Sequence, residues 1–107
     1  MTFQQKFKIA ILGSAIDESP KALELAESLG IKLAKYWDKV ILLNGACPGM
    51  PDQVVNAAKK ECNIEIWGYS SSISKKQQLE ENPKVSLGKF NKIFYVPTSF
   101  EYYKNVN

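Results

Sequence analysis

The stretch from Lys39 to Cys62 constrains the fold of this chain more than any other. It begins with a short apolar run, Val40 to Leu43, continues through a turn-rich segment, Asn44 to Met50, and enters a helical pattern at Pro51. This order predicts a strand, a glycine loop and a helix N-terminus. Glycines let the backbone approach a ligand closely, and the first amides of a helix lack internal partners. Because the helix dipole also favours negative charge there, the stretch predicts an anion site.

A similar strand-to-helix unit precedes this stretch. Residues 8–13 form an apolar run without polar alternation, which is typical of a strand covered on both faces. Pro20 suits the first position of a helix. Apolar residues then recur every three or four positions, which predicts a buried helical stripe that extends to Trp37. Three residues before Pro20 are of types that cap helix N-termini: Asp17, Glu18 and Ser19.

The chain then continues the alternation of strands and helices. Residues 51–62 predict a second helix, and Ile64 to Gly68 predict a third strand. The resulting βαβαβ order predicts parallel pairing through right-handed crossovers. We therefore expect an α/β fold with a Rossmann-like, three-layer parallel sheet.

The remaining residues carry weaker patterns. Lys75 to Asn82 predict a short polar helix, Leu87-Gly88 a turn, and Lys92 to Val96 one further strand closed by Pro97. We assign residues 1–97 to a single Rossmann-like domain. Residues 98–107 show no periodicity and are expected to form an irregular tail.

Composition excludes several classes of function. The chain has 107 residues, no histidine, and a net charge of +3 from 14 basic and 11 acidic residues. The absence of histidine removes His-dependent triads and His-ligated zinc, so no metal site is predicted. No run of lysines exceeds two and no apolar stretch has membrane length, so neither a nucleic-acid nor a membrane partner is expected. Two cysteines without CxxC spacing are typical of a reducing cytosol, and we expect a cytoplasmic protein.

Two loops hold the candidate site. They follow the first and second strands, and neighbouring parallel strands place such loops on the same carboxyl edge, where open α/β folds bind ligands. Neither loop has the spacing of a Walker A or of a dinucleotide-binding G-x-G-x-x-G motif. On spacing alone, the glycines serve either a phosphate ligand or only tight turns. The predicted ligand-binding residues are Gly13, Ser14, Ala15, Asn44, Gly45, Ala46, Gly49 and Met50.

Residues 8–69 resemble the first half of the LOG-like, or SLOG, Rossmann superfamily. The resemblance lies in the Gly13-Ser14 turn, the helix phrase that ends at Leu29-Gly30, and the segment Leu43 to Met50. Asn44 and Ala46 stand where the family more often has glycine. The superfamily was often labelled lysine decarboxylase-like or molybdenum cofactor carrier-like. It includes the LONELY GUY phosphoribohydrolases, and its SLOG domains are proposed to sense nucleotides.

The family's second half has no counterpart in this chain. Its P-G-G-x-G-T-x-x-E signature carries the catalytic glutamate of the hydrolases, and an arginine upstream completes their active site. This sequence contains no G-G pair, no G-T pair and no arginine. The segment around Tyr95 to Glu101 does not supply the glycines, so we expect a fragment or a truncated family member. A Rossmann-type sheet sets its first strand centrally beside the fourth; with few later strands, the first becomes an exposed edge.

The resemblance implies a domain that binds a nucleotide or phosphate ligand, without a bound cofactor and without catalysis. An exposed edge strand also favours self-association, so a homo-oligomer, a dimer, is expected. Two alternatives stay open. One is a nucleoside 5′-monophosphate phosphoribohydrolase whose catalytic acid is Glu101 or Glu61 or comes from a second copy. The other is an interaction fragment whose glycine loops bind nothing.

Overall fold

The computed structural model describes residues 5–16 and 19–99. Four strands alternate with helices along the chain. The strands are β1 (Phe7–Ala10), β2 (Val40–Asn44), β3 (Glu65–Ser70) and β4 (Lys92–Tyr95). The helices are α1 (Pro20–Ala34), α2 (Met50–Glu61), α3 (Lys75–Glu81) and the single turn α4 (Val96–Ser99), with a 3₁₀ turn at Leu87–Lys89.

All four strands are parallel and form one sheet in the order β1-β2-β3-β4. The predicted Rossmann-like α/β arrangement is confirmed. β1 lies at one edge of this sheet, as expected for a chain with few strands after the third. β4 pairs with β3, and not with β1 as a Rossmann order would have it.

Several predicted boundaries shift. β1 ends at Ala10 because only Phe7–Ala10 lies in register with β2, and Leu12 is 88% exposed. β3 runs two residues past Gly68, and the predicted turn at Leu87-Gly88 is the start of the 3₁₀ turn. β4 ends before Val96, because a helical turn that includes Pro97 begins there.

Helix α1 begins as its sequence predicts, but ends sooner. Ser19 is the N-cap, and its hydroxyl oxygen accepts a hydrogen bond from the Ala22 amide at 3.4 Å. The buried stripe consists of small residues four apart: Ala22, Ala26, Gly30 and Ala34. The prediction that Trp37 belongs to the core is wrong, since its side chain is 48% exposed. The helix ends at Ala34, so the helical spacing no longer carries Trp37 to the buried side.

The small residues of α1 allow a close approach to α2. A Cβ added at Gly30 would lie 2.2 Å from the carbonyl oxygen of Val54 and 2.8 Å from the Cβ of Ala57. Beneath the two helices lies the apolar core, which includes the fully buried Leu42 and Ile66. The helix pair and one face of the sheet therefore form a single packed unit, whose burial stabilises the fold.

The other face of the sheet has no helix against it among the described residues. We call it the open face; it carries Lys8, Trp67, Tyr69, Lys92 and Phe94. The rings of Tyr69 and Phe94 stack with centroids 5.0 Å apart, and Trp67 meets Phe94 edge-on at 6.0 Å. The amines of Lys8 and Lys92 lie 4.9 and 4.5 Å from the centre of the Trp67 ring. The helix layer expected on this side is thus absent from the part of the chain that the structure describes.

Within residues 5–16 and 19–99, the helices are too short or too polar to cross a membrane.

The tight α1–α2 contact makes a specific prediction for Gly30. Alanine stabilises an exposed helix relative to glycine by about 1 kcal/mol. Gly30→Ala should instead lower the free energy of unfolding by about 1–3 kcal/mol, because the added methyl overpacks against the α2 backbone. Urea denaturation measures this. The matched control is Gly88→Ala, since nothing lies within 4 Å of a Cβ there and the change should stay within about 0.5 kcal/mol. A Gly30→Ala protein as stable as the wild type would contradict the close contact.

Candidate functional site

The two predicted loops lie side by side at the carboxyl edge of the sheet, because β1 and β2 are parallel neighbours. The amide of Met50 donates a hydrogen bond to the carbonyl oxygen of Ser14 at 3.1 Å. The fold therefore brings together residues that are more than thirty positions apart in the sequence. Gly13, Ser14 and Gly45 are exposed at this edge, whereas Ala15 and Met50 are half-buried.

Gly49 is the point where the loops touch. Its φ is +93°, a region that side-chain-bearing residues rarely adopt. A Cβ at Gly49 would lie 2.4 Å from the carbonyl oxygen of Ser14 and 2.6 Å from the carbonyl carbon of Ala15. Glycine is required here for the contact between the loops, independently of any ligand.

Asn44 and Ala46 hold the second loop in shape. The side-chain oxygen of Asn44 accepts from the Ala46 amide at 2.9 Å, and its side-chain nitrogen donates to the Pro51 carbonyl at 3.3 Å. Ala46 has a φ of +56° and is fully buried. Asn44 is 4% exposed, so its amide is occupied in a turn and has little surface to offer a ligand. The Asn44 side chain thus ties the second loop to α2.

A buried polar cluster supports the same loop from the α3 side. The side chain of Gln78 donates to the Ala46 carbonyl at 2.7 Å and accepts from the hydroxyl of Ser70. The Ser72 amide donates to the Ser70 hydroxyl at 3.0 Å. The sequence does not predict this cluster, because its members lie in a polar helix and in a serine-rich segment, and both patterns are typical of solvent-exposed residues. Its members are nevertheless at least 98% buried.

The N-terminus of α2 offers fewer free amides than the sequence suggests. The Met50 amide is bonded to Ser14, Pro51 has no amide hydrogen, and the Gln53 amide donates to Gly49. Asp52 adds a carboxylate to the first turn of the helix. Most of the helix amides that were predicted to bind an anion therefore either donate to carbonyls of the protein or, at Pro51, do not exist.

Asp52 belongs to a structural ion pair. The amine of Lys89 donates to the Asp52 carboxylate and, at 2.7 Å, to the side-chain oxygen of Asn56. Lys89 and Asp52 are each 8% exposed. A buried, hydrogen-bonded pair of this kind fixes the segment before β4 against α2, since separating its partners would leave an uncompensated charge.

A crevice of about 340 Å³ opens beside the two loops, and we call it the carboxyl-edge crevice. Of the eight predicted site residues, only Ala15 lines it. Its lining residues are Ala15, Ile16, Pro48, Glu81, Asn82, Pro83 and Lys84. The residues after α3 were not predicted, because only the packing of α3 against the second loop brings them here.

A further cavity, of about 510 Å³, lies at the opposite, amino edge between the start of β1 and the start of β2. The carboxyl edge is the better candidate, since ligands of open parallel sheets bind there.

Other candidates from the sequence lie elsewhere. Glu61 is exposed at the last residue of α2, at the far end of the helix from the loops, so the structure does not place it in the site. Cys47 is half-buried in the second loop, and its thiol donates a hydrogen bond to the Gly45 carbonyl at 3.4 Å. This contact within the loop is what we expect of a small residue that packs inside a turn. No group of three or more His, Cys, Asp or Glu within residues 5–16 and 19–99 could hold a metal ion. Asp17, Glu18 and Glu101 lie outside the described residues.

Comparison with known families identifies the fold independently. The profile of the SLOG cluster4 family matches residues 6–97. The chain belongs to the SLOG cluster4 family. This match includes β4, well beyond the residues 8–69 on which the resemblance rested, and it supports a ligand-binding, Rossmann-like domain. No curated protein and no solved structure matches the chain.

The contact between the loops predicts different outcomes at two nearby glycines of this SLOG domain. Gly49→Ala should lower the free energy of unfolding by about 1–3 kcal/mol, because the methyl group meets Ser14 and the backbone conformation is strained. Gly45→Ala is the matched control, since its nearest neighbours would be at 3.7 and 3.9 Å and its change should stay within about 0.5 kcal/mol. Thermal and urea unfolding of both variants measure the difference. Equal stability of the two variants would show that the loops do not touch at Gly49.

Proposed function

We propose that this SLOG domain binds a mononucleotide or a similar small phosphate ester in the carboxyl-edge crevice. The observation that carries the proposal is the meeting of the two strand-end loops beside a crevice with a lysine in its wall. About 340 Å³ lies near the lower end of ligand pockets, which span roughly 300–1,000 Å³. The size favours a mononucleotide over a dinucleotide.

The chemistry of the lining supports the same class of ligand. Ile16 and Pro48 offer apolar surface for a base. Lys84 supplies positive charge for a phosphate, and Glu81 and Asn82 carry oxygens that can accept hydrogen bonds from ribose hydroxyls. Gly13 and Ser14 are exposed residues at the same edge. In this arrangement the phosphate is held by a lysine and by loop backbone rather than by the first turn of α2.

The proposed role is binding without hydrolysis. Neither carboxylate of α2 lies at the crevice, since Asp52 is paired with Lys89 and Glu61 is at the far end of the helix. The carboxylate in the described wall is Glu81, to which we assign a ribose contact. The sequence also has no arginine to stabilise a developing negative charge. We further propose a cytoplasmic location, because both cysteines are free thiols, as is usual in a reducing compartment.

Titration with AMP, ADP and inorganic phosphate tests the proposal. A ligand that binds only the folded protein stabilises it by RT ln(1 + [L]/Kd), about 2.7 kcal/mol at a hundredfold excess over Kd. We expect AMP to raise the melting temperature with this dependence on concentration, and to bind by calorimetry without release of free base. The absence of stabilisation by all three compounds would overturn the proposal, and release of base from AMP would overturn its non-catalytic part.

A pair of matched variants locates the site. Ile16 and Leu25 are both exposed, at 91% and 60%, but only Ile16 lines the crevice. Ile16→Glu should weaken AMP binding by roughly tenfold or more, equal to about 1.4 kcal/mol, because it removes apolar surface for the base and adds a negative charge to a crevice that holds an anion. Leu25→Glu, on the outer side of α1, should leave binding unchanged. Equal effects of the two substitutions would place the ligand elsewhere.

A further inference from the structure

The outer edge of β1 carries unpaired backbone groups among the described residues. The amides of Phe7 and Ile11 donate to the Lys39 and Leu43 carbonyls of the β2 side, at 2.9 and 2.7 Å. Because successive residues of a strand direct their backbone groups to opposite neighbours, the intervening residues face outward. The outward residues are Lys8 and Ala10 within β1, with Lys6 before the strand and Leu12 after it. They form a template that can accept another strand.

The usual protection of such an edge is missing here. Proteins often guard an edge strand with lysines. The two lysines of this edge turn back over the sheet instead: Lys8 lies over the Trp67 ring, and Lys6 pairs with Glu65 of β3 at 3.6 Å. Large apolar side chains stay in contact with water along the same edge, with Phe7 76% and Leu12 88% exposed. The edge therefore offers an apolar side chain on each face of the sheet to a pairing strand.

We propose that a second copy of this chain pairs antiparallel with β1 across a two-fold axis at Ile9. In this register, Lys8 lies opposite Ala10 of the second copy and Lys6 lies opposite its Leu12. All four outward residues of each copy then make ladder hydrogen bonds. Phe7 lies opposite Ile11 of the second copy, so the exposed ring gains an apolar neighbour on the same face. The four strands of each copy join into one continuous sheet.

Other registers of the antiparallel pair give less favourable contacts between the two β1 strands. A shift that centres the axis on Lys8 sets two lysines directly opposite one another, which is destabilising. A shift that centres the axis on Ala10 sets Lys6 opposite Ser14, whose carbonyl already accepts from the Met50 amide. A shift by a single residue would set outward backbone groups of one copy opposite residues of the other whose backbone groups are already bonded to β2, so no ladder would form. The edge is therefore most complementary to itself when Ile9 is at the axis.

A second copy is the occupant that this geometry favours. A two-fold interface must be self-complementary, and the β1 edge meets that condition with apolar residues opposite apolar ones and lysine opposite alanine or leucine. The proposal does not use the carboxyl-edge crevice, so its failure would leave the proposed ligand site untouched.

Ala10→Pro tests the pairing directly. Proline removes only the outward amide of Ala10, because the β1–β2 ladder uses the amides of Phe7, Ile9 and Ile11. Analytical ultracentrifugation of the full chain should show a concentration-dependent dimer for the wild type and for the control Ala10→Ser, and a monomer for Ala10→Pro. Circular dichroism checks that the variants are folded. A wild type that stays monomeric at every concentration, or an Ala10→Pro protein that dimerises like the wild type, would overturn the proposal.

Disulfide trapping tests the register without relying on the proline variant. In a background with Cys47→Ser and Cys62→Ser, Ile9→Cys should form a cross-linked dimer on mild oxidation. Residues opposite one another in a non-hydrogen-bonded pair have Cα atoms about 4.5 Å apart, within disulfide reach. Lys8→Cys should cross-link poorly, because the two Lys8 positions are diagonal, at about 7–8 Å. Efficient trapping of Lys8→Cys with none for Ile9→Cys would overturn the Ile9-centred pairing.

Discussion

The contact between the two strand-end loops determines where a ligand can bind at the carboxyl edge of the sheet. Gly49 can occupy its position only because it has no side chain, and the Met50 amide then reaches the Ser14 carbonyl. This contact closes the space between β1 and β2, so the crevice lies to one side, between the loops and the end of α3. A motif that suggests an anion cradle therefore serves first to join two loops, and any ligand must use what remains exposed.

The close packing of α1 on α2 determines which face of the sheet is covered. Small residues on α1 let the two helices approach until Gly30 nearly touches the backbone of Val54. The helix pair covers one face of the sheet with a shared apolar core. Right-handed crossovers that run in one direction across the sheet keep successive helices on the same side. The aromatic open face and the free β1 edge follow from that topology.

Charge in this protein is organised by the tertiary structure and not by runs along the chain. Lys89 is buried against Asp52 and Asn56, although its sequence neighbours give no sign of an ion pair. Lys6 and Lys8 lie across the sheet towards β3. A modest net charge of +3 thus includes Lys89 in the interior and lysines that lie across the face of the sheet. Local sequence cannot report this, because the partners are 33 to 59 positions away.

The amino-acid sequence by itself determined the alternation of strands and helices, the parallel sheet and the family, because apolar periodicity, Ser19 and Pro20 at a helix start, and the Gly45–Met50 segment are local signals. It also placed the two loops on one edge. Only the tertiary structure decided that Asn44 and Ala46 are buried supports, that Trp37 lies at the surface, and that Glu81–Lys84 border the crevice. Those features depend on where a helix ends and on what packs against it, and such long-range contacts leave no periodic trace in the chain.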